Sequence, residues 1–285
     1  MTQSRRDLRK AIASGPIVVA PGAYDCVTAR LIAKAGFPCV YMTGAGTSAA
    51  LGFPDYGLLT LTEMAATAGR IARSVSLPVI ADADTGYGGA LNVFRTVREF
   101  EREGVAGIHL EDQIHPKRCG HMEGKEIVSR DSFASRICAA VEARTDADLV
   151  IIARTDAIAV EGFASAIERA NAAISAGADM AFVEAPRSLE ELARIPRAVK
   201  GPCLLNLVDG GKTPLVEFAE AERLGYRLIL IPWAMMRAAT TAGASMLEEI
   251  KRGGLPKPPP GYKIGDAIVE AGGPEWAERQ KRLGN

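Results

Sequence analysis

The chain has 285 residues, of which 48% are hydrophobic and 24% charged, so it can bury a large core and is neither disordered nor a small disulfide-stabilised domain. Its 34 basic residues balance its 34 acidic residues, and a formal net charge of +0 leaves no electrostatic footprint for a nucleic acid or an anionic membrane. We therefore expect a small-molecule partner.

The cysteines and the apolar segments predict a cytoplasmic protein. The chain has five cysteines, an odd number, and they are irregularly spaced and form no CxxC pair. This pattern is typical of reduced thiols rather than of disulfides or a zinc site. Near the N-terminus the apolar run PIVVAP is too short for the core of a signal peptide. No segment reaches the roughly 18 consecutive apolar residues of a membrane helix.

Short β-branched runs alternate along the chain with amphipathic stretches. Three of these stretches, 25–36, 92–104 and 163–177, are apolar at helical spacing and end near a glycine, as helices do. The eight predicted strands are PIVVAPGA (16–23), PCVYMTGA (38–45), PVIADADTG (78–86), GIHLEDQ (107–113), LVIIARTDA (149–157), MAFVEAP (180–186), PCLLNLV (202–208) and RLILIPWA (227–234).

This alternation predicts an α/β fold, and specifically a closed (β/α)8 TIM barrel. Strict β-α alternation requires parallel strands joined by right-handed crossovers, and strands buried on both faces read as continuous apolar runs. A doubly wound open sheet is the main alternative. The barrel is favoured because every run carries polar residues or glycine at its C-terminal end, whereas an open sheet concentrates them at one switch point.

The C-terminal residues predict an extension to the barrel. Four prolines in LPKPPPGYK (255–263) favour an extended arm, and the segment after it predicts one or two short helices. We therefore divide the chain into a catalytic barrel, residues 1–250, and an arm with a helical tail, residues 251–285. The tail either caps its own barrel or reaches a neighbouring subunit.

The third predicted strand ends in a pair of aspartates. Asp82 and Asp84 are two residues apart, so both side chains point to the same side of a strand. Like charges at this distance raise each other's pKa unless a cation neutralises them, and oxygen ligands suit Mg²⁺ or Mn²⁺. The alternative is that each aspartate caps the following helix.

Other strand ends extend this acidic set. Glu111 ends the fourth strand and Asp55 lies on the loop after the second, where each could hold a metal through water. Glu184 ends the sixth strand, with Arg154 of the fifth opposite, and an arginine can clamp a carboxylate with two hydrogen bonds. The alternative for Arg154 is an ion pair with a neighbouring carboxylate.

After the second strand, TGAGTS (43–48) offers small residues whose backbone N–H groups could approach an anion. Thr43 could donate its hydroxyl, and Tyr41 should share the face of Thr43. A tight turn that requires glycine is the alternative interpretation.

The segments VYMTGAG, PD, ADADTG, LEDQ, PKRCGH, ARTDA and VEAP, in this order, resemble the isocitrate lyase/phosphoenolpyruvate mutase superfamily. From about residue 15 to 240 the chain is most similar to its short bacterial lyases, which act on methylisocitrate or 2,3-dimethylmalate. The resemblance implies a (β/α)8 barrel, Mg²⁺ dependence, a small di- or tricarboxylate substrate, and a homotetramer in which a C-terminal helix is exchanged between subunits.

The resemblance also implies roles for single residues. Asp84 matches the direct metal ligand, with Asp82, Asp55 and Glu111 completing the site largely through water. Cys119 matches the lyase cysteine on a gating loop, HPKRCGHMEGKEIVS (115–129), which we interpret as a catalytic lid. The positions that match substrate contacts are Thr43, Gly44, Ala45, Gly120, His121, Arg154, Glu184, Asn206 and Arg237.

A lyase of this kind removes the proton from a 2-hydroxyl group, breaks the adjacent carbon–carbon bond, and releases pyruvate and a second fragment that must be protonated. Cys119 is the predicted acid, because a thiol is mostly protonated at neutral pH, and Tyr41 is the predicted base. Lys117, Arg118 and His121 would lower the thiol pKa. We therefore expect these cations to bind carboxylates of the substrate or the loop when the lid closes. An ordinary exposed cysteine is the alternative.

We predict a dicarboxylate such as a 2,3-dialkylmalate as substrate. The residues after Arg237 lack a counterpart of the late arginine of methylisocitrate lyases, and TGAG replaces their Ser-Gly-Gly-Gly. Oxaloacetate decarboxylation or hydrolysis on the same metal platform is the nearest alternative. A noncatalytic metabolite-binding barrel is a distant one, since such a module needs no metal, acid and lid together.

Overall fold

Parallel strands form a closed barrel in the computed structural model, which describes residues 2–284. Each strand pairs with the next along the chain, and β8 pairs with β1. The strands are β1 (Val18–Ala23), β2 (Val40–Met42), β3 (Val79–Asp82), β4 (Gly107–Glu111), β5 (Val150–Thr155), β6 (Met180–Val183), β7 (Cys203–Asn206) and β8 (Tyr226–Ile231). The predicted (β/α)8 barrel is confirmed; seven strands lie within the predicted runs, and β8 begins at Tyr226, one residue before its run.

Helices follow the strands and surround the barrel. The three helices predicted from periodicity lie within two residues of their predicted ends. The helices are α1 (Thr2–Ser14), α2 (Cys26–Lys34), α3 (Gly44–Ala50), α4 (Leu61–Ser74), α5 (Ala90–Arg102), α6 (Arg130–Ala143), α7 (Ala157–Val160), α8 (Phe163–Ser175), α9 (Leu189–Ala198), α10 (Phe218–Leu224), α11 (Ala234–Lys251), α12 (Ile264–Glu270) and α13 (Gly273–Leu283).

Local hydrogen bonds determine where several of these helices begin. Asp25 accepts a hydrogen bond from the backbone N–H of Thr28, and Thr60 accepts one from that of Glu63. In both cases the third residue of the helix bonds back to the cap, which satisfies donors that a helix start leaves free.

The barrel interior is filled by apolar side chains, and α1 closes its lower end. Val150 and Ile152 of β5 pack in one cluster with Met180 and Phe182 of β6. Leu8 and Ile12 of α1 belong to the same cluster. The acidic residues of the strands, Asp82 and Glu111, lie at the opposite end, where the strands terminate.

The C-terminal extension has the predicted character. Residues 255–259 have no regular structure, and two helices, α12 and α13, follow. In this single chain α12 packs on α2, and Lys34 forms an ion pair with Glu270. The division at residue 250 and the exchange of a helix between subunits stay predictions. No helix within residues 2–284 has the length and apolar character needed to cross a membrane.

Candidate active site

Residues at the strand ends continue the two-residue period of the barrel interior. On β5, Val150 and Ile152 face inward, and Arg154 follows in the same phase. On β6, Met180 and Phe182 are followed by Glu184. Alternate residues of a strand point to the same side. The polar side chains at the strand ends therefore point into one space, next to the apolar side chains that fill the barrel.

That space is a cavity of about 390 Å³. It lies under the lid loop, and most of the predicted site residues line it. These are Tyr41, Thr43, Ala45, Asp55, Asp82, Cys119, Gly120, His121, Arg154, Glu184 and Asn206.

Lys117 of the lid lies between two of the predicted metal-binding carboxylates. Its ammonium nitrogen forms an ion pair with Asp55 and lies 3.0 Å from Asp84 Oδ1. All three side chains are shielded from solvent, and the two aspartates raise the pKa of Lys117 even though burial opposes this. Lys117 therefore connects the loop that carries Cys119 to carboxylates at the end of the barrel.

Asp82 is held by donors on three sides. Its Oδ2 accepts hydrogen bonds from Tyr41 Oη and the Gly44 N–H, both at 3.2 Å, and its Oδ1 accepts one from the Asp84 N–H at 3.0 Å. Gly44 is required here, since a Cβ at this position would overlap the Asp82 carboxylate. The Tyr41 hydroxyl group also forms a hydrogen bond with the buried His109, whose Nε2 lies 2.9 Å from Tyr41 Oη.

Arg154 joins the carboxylates of three strand ends. Its Nε lies 3.3 Å from Glu111 Oε2 and 2.9 Å from Asp156 Oδ2, and its Nη2 lies 3.2 Å from Glu184 Oε2. Asn206 Nδ2 also donates to Glu184, at 3.1 Å. The ion pairs foreseen as the alternative for Arg154 are thus present, in a side chain that still lines the cavity.

The acidic cluster has the chemistry of a divalent cation site. Both carboxylate oxygens of Glu111 are buried and accept no hydrogen bond, and the buried Asp84 Oδ1 contacts the Lys117 ammonium group. Burial raises the pKa of Asp84 to about 6 and that of Glu111 well above its ordinary value. A further positive charge nearby would therefore stabilise the ionised form of both carboxylates. Within residues 2–284 no three acidic, histidine or cysteine side chains converge closely enough to enclose an ion. Carboxylate oxygens suit Mg²⁺, which keeps several waters, so the residues fit a site completed by water.

The Cys119 thiol is half-buried in the lid and lines the cavity. Burial raises its pKa, Asp55 acts in the same direction, and Arg154 and Lys117 only partly oppose them. Lys117 thus lowers this pKa as expected, but burial outweighs it, and the net shift of the Cys119 pKa is upward. The charge of Lys117 is compensated by Asp55 and Asp84, and Arg118 is exposed.

His121 is not a cation near neutral pH either. Burial lowers its pKa, and its Nδ1 accepts a hydrogen bond from the Lys212 N–H at 3.1 Å. The proton is therefore on Nε2, which lies 3.7 Å from Glu184 Oε1. Gly120, beside it, packs so closely on Arg154 and Glu184 that a Cβ would lie 2.8 Å from Glu184 Oε2.

Four predicted residues do not line the cavity. Gly44, Asp84 and Glu111 are buried beneath it. Arg237 is 56% exposed at its side chain on α11 and forms an ion pair with Asp209, which does line the cavity. Segment 44–48, expected as a loop, begins helix α3, and Thr43 Oγ1 caps it by accepting from the Gly46 N–H.

Sequence reasoning missed His109 and the loop from Val208 to Gly211, which forms one wall of the cavity. It also missed an apolar wall made by Phe53, Pro54 and Trp233. His109 had a signal, because it lies two residues before Glu111 on an otherwise apolar strand. The apolar wall had no signal in the sequence, because apolar residues also occur on exposed loops that form no site.

Comparison with known proteins finds relatives that all belong to one superfamily. The sequence profile described as phosphoenolpyruvate phosphomutase matches residues 8–251. A 2,3-dimethylmalate lyase of Eubacterium barkeri is 50% identical over 245 residues, which are 86% of this chain and 85% of that protein. A 2-methylisocitrate lyase of Aeropyrum pernix is 46% identical over 250 residues, 88% of this chain and 80% of the relative.

A solved structure of oxaloacetate acetylhydrolase, in complex with the inhibitor 3,3-difluorooxalacetate, superimposes with a TM-score of 0.96 at 40% identity. The alignment covers 100% of this chain and 98% of the other.

Proposed function

The chain belongs to the phosphoenolpyruvate phosphomutase/isocitrate lyase superfamily, and from this we propose that it is a Mg²⁺-dependent carbon–carbon lyase. The substrate is a 2-hydroxy dicarboxylate of the 2,3-dimethylmalate type, and the products are pyruvate and a short carboxylic acid. The observation that carries the proposal is the protonated Cys119 thiol in the lid, facing a cavity that contains the buried acidic cluster.

Asp84 would hold the cation directly, and Asp82, Asp55 and Glu111 would hold its waters. When bound, Mg²⁺, or Mn²⁺ in its place, supplies Lewis-acid stabilisation of the developing 2-oxo acid. Lys117 neutralises Asp55 and Asp84 in the closed lid, so it would exchange partners when the cation is present.

The chain's own groups bind and orient the dicarboxylate. Arg154 offers a guanidinium at the cavity wall, and Thr43 and Ala45 at the start of α3 line the opposite part of the cavity. Asn206 and Glu184 are fixed to each other by a hydrogen bond of 3.1 Å, which orients both polar groups before substrate binds.

Tyr41 is the proposed base that takes the proton of the 2-hydroxyl group. Burial raises its pKa well above the ordinary value, so the neutral phenol is the resting form. Its Oη contacts both Asp82 and His109. Tyr41 would therefore pass its own phenolic proton to Asp82 Oδ2 or His109 Nε2 as it takes the proton of the 2-hydroxyl group, so that it stays neutral.

Cys119 is the proposed acid that protonates the second fragment after the carbon–carbon bond breaks. The negative charge that develops on that fragment takes the thiol proton, and the thiolate is reprotonated before the next cycle. Because burial keeps the thiol neutral and the lid excludes water, the proton is present when the bond breaks.

The cavity supports a dicarboxylate with an alkyl substituent over a tricarboxylate. Arg154 already contacts Glu111, Asp156 and Glu184, and Lys117 is paired with two aspartates. Arg237 is directed to Asp209 and does not line the cavity. In contrast, Phe53, Pro54 and Trp233 offer apolar surface for an alkyl group.

Hydrolysis of oxaloacetate is the second candidate, because the oxaloacetate acetylhydrolase structure aligns over the whole chain. It differs from the lyase in its need for an attacking water and in its products, oxalate and acetate. Both routes leave a carbanion-like fragment that must be protonated, so the Cys119 thiol argues only weakly against hydrolysis, and the products separate the two routes.

The proposal is tested by incubating the enzyme with Mg²⁺ and 2,3-dimethylmalate, methylisocitrate or oxaloacetate and measuring the products. We expect pyruvate from dimethylmalate at the highest kcat/KM, loss of this activity in excess chelator, and its return with Mg²⁺. Faster turnover of methylisocitrate would reject the dicarboxylate assignment. Oxalate release from oxaloacetate as the main activity would instead support the hydrolase.

We also propose that the enzyme is a cytoplasmic homotetramer. All five cysteines are free thiols in the structure, as is typical of a reducing compartment.

A further inference from the structure

Lys125 is a buried lysine of the lid loop, residues 115–129, that takes no part in the mechanism proposed above. Its side chain is almost fully shielded from solvent. Its ammonium nitrogen donates to two acceptors, the carbonyl oxygen of Gly120 in the lid and Asp156 Oδ1 at the end of β5, the second at 2.7 Å. One side chain thus connects the tip of the lid to the barrel.

The first acceptor lies next to the catalytic thiol. Gly120 follows Cys119 directly, and its Cα packs against the side chains of Arg154 and Glu184 without room for a Cβ. The orientation of the Gly120 carbonyl therefore determines where the Cys119 main chain enters the cavity. A bond to this carbonyl positions the thiol, although Lys125 itself does not line the cavity.

The second acceptor is fixed by other groups. Asp156 accepts from Arg154 Nε at 2.9 Å, and its N–H donates to Asp112 Oδ1 at 2.9 Å. Thr155 Oγ1 donates to the other Asp112 oxygen at 2.7 Å, and Arg169 lies 3.4 Å from the same oxygen. Asp156 is therefore held in place whether or not Lys125 is present.

The other lid contacts differ from this one. Lys117 pairs with Asp55 and Asp84, which belong to the proposed cation site and would change partners when a cation binds. Lys212 forms an ion pair with Glu123 of the lid, but the Glu123 side chain is 86% exposed. The Lys125 contact, in contrast to these two, is buried and lies outside the proposed cation site, and a buried pair is less screened than an exposed pair.

We infer that Lys125 is a positioning residue for the reaction: by bridging the Gly120 carbonyl and Asp156 it holds the lid closed and places Cys119 in the cavity. This inference rests on the proposed function for its kinetic consequence. Its structural consequence, the closure of the lid over Cys119, is independent of the substrate.

Two measurements on Lys125→Met test the inference. The first is the pH-independent rate constant for alkylation of Cys119 by iodoacetamide, followed by peptide mass spectrometry, with exposed Cys138 of the same molecule as reference. Loss of a charged hydrogen bond should open the lid and raise this rate about tenfold to hundredfold relative to Cys138. The second is lyase kinetics, in which we expect kcat to fall about tenfold or more while KM changes less, because the substrate contacts on the barrel remain.

Lys212→Met is the matched control, since it removes the exposed ion pair of the same lid. We expect alkylation and kcat within about twofold of the unmodified enzyme, as is usual for a surface pair. Lys125→Gln retains a shorter polar side chain and serves as the second variant if Lys125→Met does not fold.

Cys119 alkylation and kcat both within twofold of the unmodified enzyme in a folded Lys125 variant would overturn the inference. A lower melting temperature with unchanged alkylation would also overturn it, because Lys125 would then stabilise the fold without holding the lid. If the unmodified enzyme cleaves none of the tested substrates, the proposed function fails, while the alkylation measurement still decides whether Lys125 closes the lid.

Discussion

At the scale of single residues, the protonation of Cys119 is decided by two opposing effects. Cationic neighbours lower a thiol pKa, and burial raises it. Here burial is the larger effect, since Lys117 is already neutralised by Asp55 and Asp84. The lid therefore carries a neutral thiol, which is the form that an acid requires.

The pH dependence of turnover should reflect this thiol. An acid is active while protonated, so kcat should be constant at neutral pH and fall as the pH rises through the thiol pKa. Because burial raises that pKa, we expect the alkaline fall to lie above the ordinary cysteine value of about 8.5. Cys119→Ser should lower kcat by about 10²-fold or more, since the general acid is lost. Both results come from kcat measured between neutral and alkaline pH.

Cys138→Ser is the control for this prediction, because Cys138 is exposed on α6 and lies outside the cavity. Its kinetics should match those of the unmodified enzyme. A fall of kcat centred below pH 8, or full turnover by Cys119→Ser, would show that Cys119 is not the acid.

At the scale of elements, each strand serves the core and the site with alternate residues. On β4, Ile108 and Leu110 pack outward against the helices, while His109 and Glu111 point into the barrel. The helices supply the other half of the outer core. Phe100 of α5, fully buried, packs in the same cluster as Ile108 and Leu110.

Helix α5 offers a direct test of this packing. Phe100→Ala removes a fully buried ring and should lower the free energy of unfolding by about 3–5 kcal/mol, the usual loss for a core phenylalanine. Leu91 lies on the same helix but is 88% exposed, so Leu91→Ala should change the free energy of unfolding by less than about 0.5 kcal/mol. Urea unfolding followed by circular dichroism measures both, and equal losses would contradict the inward orientation of Phe100.

At the scale of the whole molecule, α11 and the tail stand apart from the barrel core. Of the 18 residues of α11 only Met236 is buried, and Leu247 is 67% exposed. Ile264 and Trp276 of the tail are 81% and 64% exposed. Apolar surface on this scale is typical of a protein–protein interface, and it supports the proposed homotetramer.

Light scattering after gel filtration tests the assembly. We expect a mass of about four times 30.1 kDa. Leu247→Glu places a charge on the exposed face of α11 and should shift the protein to smaller species. Leu215→Glu is the control, because Leu215 is 58% exposed on the loop between β7 and α10 and should leave the mass unchanged. A monomeric mass for the unmodified protein would contradict the proposal.

The sequence by itself determined the fold class and half of the residues that line the cavity. Eight apolar runs separated by amphipathic stretches permit few arrangements, and the two-residue period places Arg154 in phase with Val150 and Ile152 of β5. Asp84 lies beyond the end of β3 with a φ of 46°, so the period does not extend to it. The family resemblance was carried by short motifs at these strand ends, and it is confirmed.

Only the tertiary structure decided which charges neutralise one another. Lys117 and Cys119 are two residues apart, yet the ammonium group pairs with Asp55 and Asp84, 62 and 33 positions away along the chain. Lys125 reaches Asp156 from a different element, and Arg237 turns to Asp209 instead of the cavity. Strand periodicity is local and can be read along the chain, whereas ion pairing and burial depend on distances that arise only when the barrel closes.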